Sequence, residues 1–569
     1  MYDRFYQDIE VGQSGTYGGV LVTEELVDRF ADLTGDHHPL HVDPGFAARS
    51  RYGRRIAHGM LVLSLSAGMF PMDPASVVAF YGMDGVRFVR PTFLGDTLRV
   101  RLTVTGKTDK PVGGVVRTAL EMLNQHDEVV AVAVMRILVA ARPAGDGAES
   151  AVRPRADRPY TWLPVRAYNA AATRIPRLAR SIGSVDELHA AAVVAARRAD
   201  PGPAAPEPGD FGDPAYLPGL RALVAALRTE ARLSPAGRVF ARGAIVAALV
   251  NRLLIQRSLT AEPEITRRPV GPAVVVLGLP RSGTTLLQHL LSLDPANRSL
   301  RQWEAARPAP PPPAGAEASD PRVRAAERST RLLDRIAPAA RTLHPTGPRL
   351  PCECVTLFAN SFASLEFGTI YQIPGYTSWC LSTDMRPHYA YYRTQLQLLG
   401  WHDRRERWAL KSPAHLFWLD ELVRALPDAT VVQLHRDPTE VLGSFCSLAA
   451  VLAATNATEV DRRELGRFWL RTWVDGVRRA RAARAALPGT AVHDVRYLDL
   501  TSDPVGCVAG LYEAAGLPFT GTYETALRRY AERTRRAGVP GHRYTLESFG
   551  LPPAQVRAAF EEAGHVAWR

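Results

Sequence analysis

From Ala273 onward the chain alternates short apolar runs with helical ones: "AVVVLGL" then "TTLLQHLLSL", "RWALK" then "AHLFWLDELVRAL", "ATVVQLHR" then "PTEVLGSFCSL", and "AVHDVRYLDL" then "PVGCVAGLYEAAG". Strands covered on both faces read as unbroken apolar runs, and strands separated by helices pair in parallel. The pattern therefore predicts a doubly wound α/β sheet. Its first strand–helix junction, "VVVLGLPRSGTTLLQHLL", carries Gly278 and Gly283 at the spacing of a phosphate-binding loop. The ATP-binding form continues with Lys and Ser/Thr, because the ammonium reaches the β/γ-phosphates and the hydroxyl holds Mg²⁺. Here Thr284 stands where the lysine belongs.

A glycine loop between a strand and a helix gathers successive N–H groups and the positive end of the helix at one point, which suits an anion. Without the lysine, the nearest cation is Arg281 inside the loop. Backbone, guanidinium and hydroxyls holding a phosphate group fit this text better than a metal-bridged triphosphate, and no metal is expected. The plain alternative is a strand–helix turn with no ligand.

Residues 1–142 read as a separate α+β unit. Thr23 is placed to cap a helix through "EELVDRFADLTG", with Leu26, Phe30 and Leu33 on one face. A second helix follows in "HGMLVLSLSAGMF". Then Leu98, Val100, Leu102 and Val104 alternate with polar residues, and "GGVVRTALEML" and "EVVAVAVMRILVA" continue the strand pattern. Residues 143–183 open on "RPAGDGAESAVRPRADRP", a Pro/Gly/charge mixture with the composition of a linker. Residues 184–265 read as mostly helical, and 266–569 hold the α/β core.

At 569 residues the chain is too long for a single core. Its start, "MYDRFYQDIEVG", lacks signal-peptide character, and no run of about twenty uncharged apolar residues is apparent, so a cytoplasmic protein without a transmembrane segment is expected. Five cysteines without CxxC pairing fit a reducing compartment. The net charge of +12 comes from arginines interleaved with acids, with no basic block carrying aromatics, which argues against nucleic acid. Lys107, Lys110 and Lys411 are the only lysines. The first two lie in a polar turn, whereas Lys411 ends an apolar run in "RWALKSPAHL", a position that calls for a compact charge.

The loop "LGLPRSGTTLLQHLL" resembles the 5′-phosphosulfate loop of sulfotransferases that use 3′-phosphoadenosine-5′-phosphosulfate (PAPS). "ATVVQLHRDPTEVLGSFCSL" resembles their 3′-phosphate motif, an Arg ending a strand and a Ser on the next helix. The resemblance continues through "LKSPAHL" and "VRYLDLTSDP". It implies PAPS as cofactor, held by Pro280, Arg281, Ser282, Gly283, Thr284 and Thr285 at the 5′ end and by Arg436 and Ser444 at the 3′-phosphate. His542 and Arg543 in "GHRY" would close on that phosphate. Arg281 and Lys411 would stabilise charge on the bridging oxygen as sulfur leaves it. A Glu after the loop would act as base, which points to Glu304 in "RQWEAARP". Glu353 in "LPCECV" and His415 are the alternatives, and the proline-rich "RPAPPPPAGAEASDP" would form a flap over the acceptor.

In the first unit, "LTGDHHPLHVDP" and "RYGRRIAHGML" place Asp36 and His41 on either side of Pro39, and such a pair sharing a water has the chemistry of a hydratase. Gly59 opens a helix whose N–H groups would polarise a carbonyl. Together with "FYQDIEVGQ" and "RFVRPTFLGDTL", these segments resemble the MaoC-like, R-specific enoyl-CoA hydratases with a hot-dog fold. That implies Asp36 and His41 as acid/base pair, Gly59 as oxyanion donor, an acyl thioester on CoA or an acyl carrier as substrate, and a homodimer through residues 1–142. Two departures stand out: His38 replaces the family's Asn, and Ala67 occupies the place of a Ser.

The expectation is thus a hot-dog domain followed by a P-loop-like, doubly wound sulfotransferase domain with helical insertions. A hydroxyl acceptor, such as a β-hydroxyacyl thioester or lipid, would be sulfated. Three rivals remain open on the sequence: a non-catalytic acyl-binding or dimerisation role for the hot-dog half, a nucleotide kinase, and a CoA-binding C-terminal site.

Overall fold

The computed structural model describes residues 2–73, 76–110, 113–141, 162–175, 181–199, 210–313, 315, 320–337, 347–403, 405–487, 492–537 and 545–565. The chain divides into two compact units, Met1–Arg153 and Pro154–Arg569. The sequence expected to act as a linker falls mostly outside the described residues, as do His542 and Arg543.

The first unit is one antiparallel five-stranded sheet in the order β1-β3-β4-β5-β2, the hot-dog arrangement. Its strands are β1 (Ser14–Leu21), β2 (Val77–Phe88), β3 (Thr97–Lys110), β4 (Gly113–Leu123) and β5 (Val129–Ala140). In β3 the expected alternation holds, with Leu98, Val100, Leu102 and Val104 facing the core. Two strands escape the sequence pattern. β1 is rich in glycine, and β2 pairs with β5 through register shifts around Ala79, Gly82 and Arg87 that break the period of two.

Helix α1 (Glu24–Thr34) begins at Thr23, whose hydroxyl accepts from the Leu26 N–H at 3.1 Å. Its buried stripe is rotated from the expected one: Val27 and Ala31 are buried, Leu26 and Phe30 flank them, and Leu33 is exposed. Helix α2 (Gly59–Ser66) buries Leu61, Val62 and Leu63 against the same core.

The second unit is built on an all-parallel five-stranded sheet in the order β10-β9-β6-β8-β7. These strands are β6 (Ala273–Gly278), β7 (Asn297–Ser299), β8 (Arg407–Lys411), β9 (Ala429–His435) and β10 (Val492–Arg496). Only the three-residue edge strand β7 lacks a sequence signal. Alternate residues of β6 enter two different cores: Val275 and Leu277 pack with Trp408 and Phe417, Val274 and Val276 with Leu287 and Tyr512. Both faces are therefore covered, which is why β6 reads as one apolar run.

Five helices position the site or brace it: α3 (Pro235–Ala261), α4 (Thr284–Leu291), α5 (Leu365–Tyr371), α6 (Pro438–Asn456) and α7 (Arg462–Ala486). By length and composition alone α3 and α6 are apolar enough to cross a membrane, and 56% of each such window is buried inside the fold.

Candidate functional sites

The loop between β6 and α4 has the geometry of an anion cradle. Gly278, Arg281 and Gly283 all take positive φ, at 144°, 68° and 99°. Arg281 pays the steric cost of a left-handed residue that glycine would avoid, which marks the turn as tightly determined. A Cβ on Gly283 would lie 2.7 Å from the Tyr497 ring, so only glycine fits where α4 begins. Ser282 is fully buried and its hydroxyl donates to the Leu279 carbonyl at 2.6 Å. Its side chain therefore braces the loop, and Ser282 is not among the residues lining the adjacent cavity.

Arg281 and the β9–α6 segment are directly joined. The Arg281 Nε donates to Ser444 Oγ at 3.1 Å, and Arg436 Nη1 donates to the Arg281 carbonyl at 3.0 Å. Asp437 caps α6 and so fixes the approach of Arg436 and Ser444. Arg436 also pairs with Glu440 at 2.6 Å and lies over the Tyr497 ring at 4.0 Å. It lines a cavity of about 290 Å³ with His435, Arg496, Tyr497, Arg557 and His565. Tyr497 stands within the quoted "VRYLDL" motif, but Arg557 and His565 have no sequence signal. They arrive there because the helix Pro553–Glu562 packs on α6.

Lys411 ends β8 beside β6 and is 1% exposed. Its Nζ donates to Thr285 Oγ1 at 3.2 Å and to Glu353 Oε1 at 2.5 Å. Glu353 is brought there by the Cys354 N–H, which donates to the Lys411 carbonyl at 2.9 Å. Pro280, Arg281, Thr284, Thr285, Lys411 and Glu353 all line one cavity of about 300 Å³. Glu366 lines it too. Burial, reinforced by the charge of Glu353, pushes its carboxyl up to about 7.

Glu304, the expected base, is elsewhere. Its Oε1 accepts from Arg298 at 2.8 Å and its Oε2 from the Arg301 N–H at 3.0 Å. It is 4% exposed and faces a separate cleft with Arg298 and Asp403. That carboxylate is engaged in holding a helix start and a buried arginine, and it is Glu353, not Glu304, that lines the cavity with Arg281 and Lys411. His415 is behind the cavity wall, its Nδ1 facing the Tyr389 hydroxyl at 2.8 Å. Burial pushes its imidazole down to about 3, so it is neutral and outside the cavity.

In the first unit, Asp36, His41 and His58 each bring one ligand-type atom within 4.8 Å of the others. The His41 Nδ1 faces the Ile56 carbonyl at 2.8 Å, and since a carbonyl only accepts, Nδ1 carries the proton and Nε2 has the lone pair. Burial lowers the His41 pKa, which keeps that lone pair available. Asp36 is exposed. His58, missed in the sequence, is 2% exposed, stacks on His41 with ring centres 4.0 Å apart, and donates from Nε2 to the Asp36 carbonyl at 2.9 Å. Gly59 follows it as the first residue of α2, where a Cβ would collide with Phe88 at 2.8 Å. His38 uses its Nδ1 to accept from the Leu40 N–H at 3.3 Å, taking over a capping task that suits the Asn it replaces.

Comparison with known proteins places both units in families. Residues 272–521 match the model of the sulfotransferase family, and residues 11–125 match that of the MaoC-like domain. The crystal structure of sulfotransferase STF1 from Mycobacterium tuberculosis superposes with a TM-score of 0.59 at 32% identity, covering 67% of this chain and 99% of that one. The 3-hydroxyacyl-thioester dehydratase Z of Mycobacterium tuberculosis is 37% identical over 113 residues, which are 19% of this chain and 73% of that protein. The MaoC protein of Klebsiella aerogenes is 38% identical over 110 residues, and there the match spans only 33% of its length. The chain belongs to the sulfotransferase family through its second unit, and carries at its N-terminus a domain of the MaoC-like hydratase family.

Proposed function

We propose that the second unit transfers a sulfuryl group from PAPS to a hydroxyl, with Glu353 as general base. The observation that carries this reading is the position of Lys411, bonded at once to Thr285 of the donor loop and to Glu353 at the acceptor side. The residues present fit the donor. The glycine cradle, Arg281, Thr284 and Thr285 would hold the 5′-phosphosulfate, and Arg436 and Ser444 the 3′-phosphate. When bound, PAPS supplies a sulfuryl group on a good leaving phosphate. Glu353 would take the proton of the acceptor hydroxyl as its oxygen bonds to sulfur, the electron pair of the broken S–O bond being left on the phosphate oxygen near Lys411 and Arg281. Lys411 and Arg281 stabilise that developing charge from positions fixed before reaction.

The first unit is proposed to hydrate an enoyl thioester carried on CoA or an acyl carrier, with Asp36 and His41 activating water and the Gly59 N–H on the thioester oxygen. Its product would carry a β-hydroxyl, the group the second unit needs. Strand β2 lies at the sheet edge with Phe80, Tyr81 and Phe88 exposed, which supports a homodimer through residues 1–142. The division into 1–142, a linker to 183 and a sulfotransferase domain from 184 is proposed on the same footing, as is a cytoplasmic location.

Thermal unfolding with 3′-phosphoadenosine-5′-phosphate tests the donor. At a hundredfold excess over Kd it should stabilise the protein by about 2.7 kcal/mol without metal. Adenosine-5′-phosphosulfate, lacking the 3′-phosphate, should do markedly less. Equal stabilisation would remove the roles given to Arg436 and Ser444, and a requirement for ATP with Mg²⁺ would restore the kinase reading.

A further inference from the structure

The cavity in front of Lys411 changes character with distance from the donor loop. One end has Arg281, Thr285, Lys411 and Glu353. Another part is walled by two helices that pack on each other, with Gln302, Thr356 and Ser412 also in the lining. From α6 come Phe445, Leu448 and Leu452, spaced by three and four residues and so on one helical face. From α5 come Leu365, Glu366, Thr369 and Ile370, and Trp473 of α7 adds its ring. Ser444, which bonds Arg281, lies next to Phe445, so one helix contacts the donor loop and the apolar wall together.

A polyol placed here would press hydroxyls against Phe445, Leu448, Leu452 and Ile370, where they lose water and gain no partner. An aliphatic chain would lose nothing. Within that wall Glu366 is a largely desolvated acid, hydrogen-bonded to Thr356 and close enough to Glu353 to feel its charge. Near neutrality it is in part protonated, and a protonated carboxyl can donate a hydrogen bond to a carbonyl.

We propose, resting on the sulfotransferase reading of this cavity, that the acceptor is an alcohol on an aliphatic chain with a carbonyl close to its hydroxyl, and that Glu366 selects it by holding that carbonyl. The hydroxyl lies at Glu353, the carbonyl at Glu366 and the chain between α5 and α6. A free hydroxy lipid and a carrier-bound hydroxyacyl thioester share this chemistry.

The test measures PAPS-dependent sulfation of methyl 3-hydroxyalkanoates and 3-hydroxyacyl pantetheine thioesters of four to twelve carbons, with 1-alkanols and glucose as references. Across both 3-hydroxy series kcat/KM should rise about fourfold per methylene until the cavity is filled. Ile370→Arg and Leu452→Arg, on different helices, should each flatten that rise while leaving stabilisation by 3′-phosphoadenosine-5′-phosphate intact. Glu366→Leu should raise KM for the 3-hydroxy compounds about five- to tenfold with no comparable rise in KM for 1-alkanols, and be rescued by Glu366→Gln. A faster pantetheine series assigns the carrier-bound chain, and equal rates assign the free lipid. A rate independent of chain length, a preference for glucose, or equal loss on 1-alkanols in Glu366→Leu would overturn the proposal alone. Absence of stabilisation by the nucleotide would overturn the donor reading beneath it as well.

Discussion

Buried Lys411 and partly exposed Glu353 form an ion pair of 2.5 Å at the junction between the loop at residues 278–283 and the cavity beside it. Taking a charge pair out of water is costly, and such a pair often contributes less stability than apolar packing of the same volume. Its third contact, Thr285, explains why it is placed here: the ammonium touches the side that would hold the leaving phosphate and the side that would take the proton.

Replacing Glu353 by Gln should therefore slow sulfuryl transfer about 10²–10⁴-fold while stabilisation by 3′-phosphoadenosine-5′-phosphate persists. Single-turnover rates set beside nucleotide-induced thermal shifts separate the two effects. A rate close to wild type would move the base out of this cavity.

Glu304→Ala supplies the contrast. Removing a carboxylate that pairs with buried Arg298 should cost up to about 3 kcal/mol, moderated because Asp403 also holds that guanidinium. The loss should appear in denaturant midpoints, with the turnover of the folded enzyme unchanged. A collapse of kcat without loss of stability would reinstate Glu304 as base.

Lys411→Arg keeps the charge but replaces a point donor by a planar fork in a site that is 1% exposed. The longer group cannot reach Thr285 and Glu353 from the same backbone position without displacing one of them. A drop in kcat of at least about tenfold is expected, read as loss of transition-state stabilisation.

What the sequence made legible follows from locality. The donor loop is a strand, two glycines and a helix start within a few residues, and Arg436 and Ser444 stand on one strand–helix junction. Lys411 was conspicuous because lysine is so rare in this chain. Glu353 was legible only as an alternative to Glu304 and Glu366 not at all: nothing around an isolated acid tells that the sheet and the α5–α6 packing will bring both to one cavity. Glu304 illustrates the converse, since its spacing after the loop is right and its partners Arg298 and Arg301 lie only six and three residues before it, yet only the fold reveals that they occupy it. Similarly β2 hid behind its register shifts, and α1 turned a face of short side chains inward that hydrophobicity alone ranks below Leu33.

The carboxyl of Glu366 gives a pH signature. Its folded value, about 7, lies above the ordinary 4.5 because of burial and then the charge of Glu353, opposed by the Thr356 hydrogen bond. As pH rises through that interval the unfolded chain releases the proton that the folded chain still holds, so this group's stabilising contribution is full below about 4.5 and is lost as pH passes 7. The melting temperature of wild type should fall relative to Glu366→Gln between these limits. Parallel curves would mean that Glu366 is ionised throughout.

The first unit is tested through the two residues that surround His41. Asp36→Asn should abolish hydration of a trans-2-enoyl thioester, because an amide cannot take the proton of the attacking water, while its similar size spares the fold. His58 is expected to act differently: it stacks on His41 and holds the Asp36 carbonyl, a position from which it would orient the pair without supplying the base. His58→Gln, which keeps a donor but loses the ring, should lower kcat about tenfold and leave the pH dependence of kcat/KM with its His41 limb in place. Sulfation of a ready-made hydroxyl acceptor should continue unchanged in Asp36→Asn. If wild type hydrates no enoyl thioester of any chain length, the exchange of Asn for His38 marks a domain that binds acyl chains without turning them over. If Asp36→Asn also stops sulfation in a folded protein, the two chemistries share one site and their separation into two pockets is wrong.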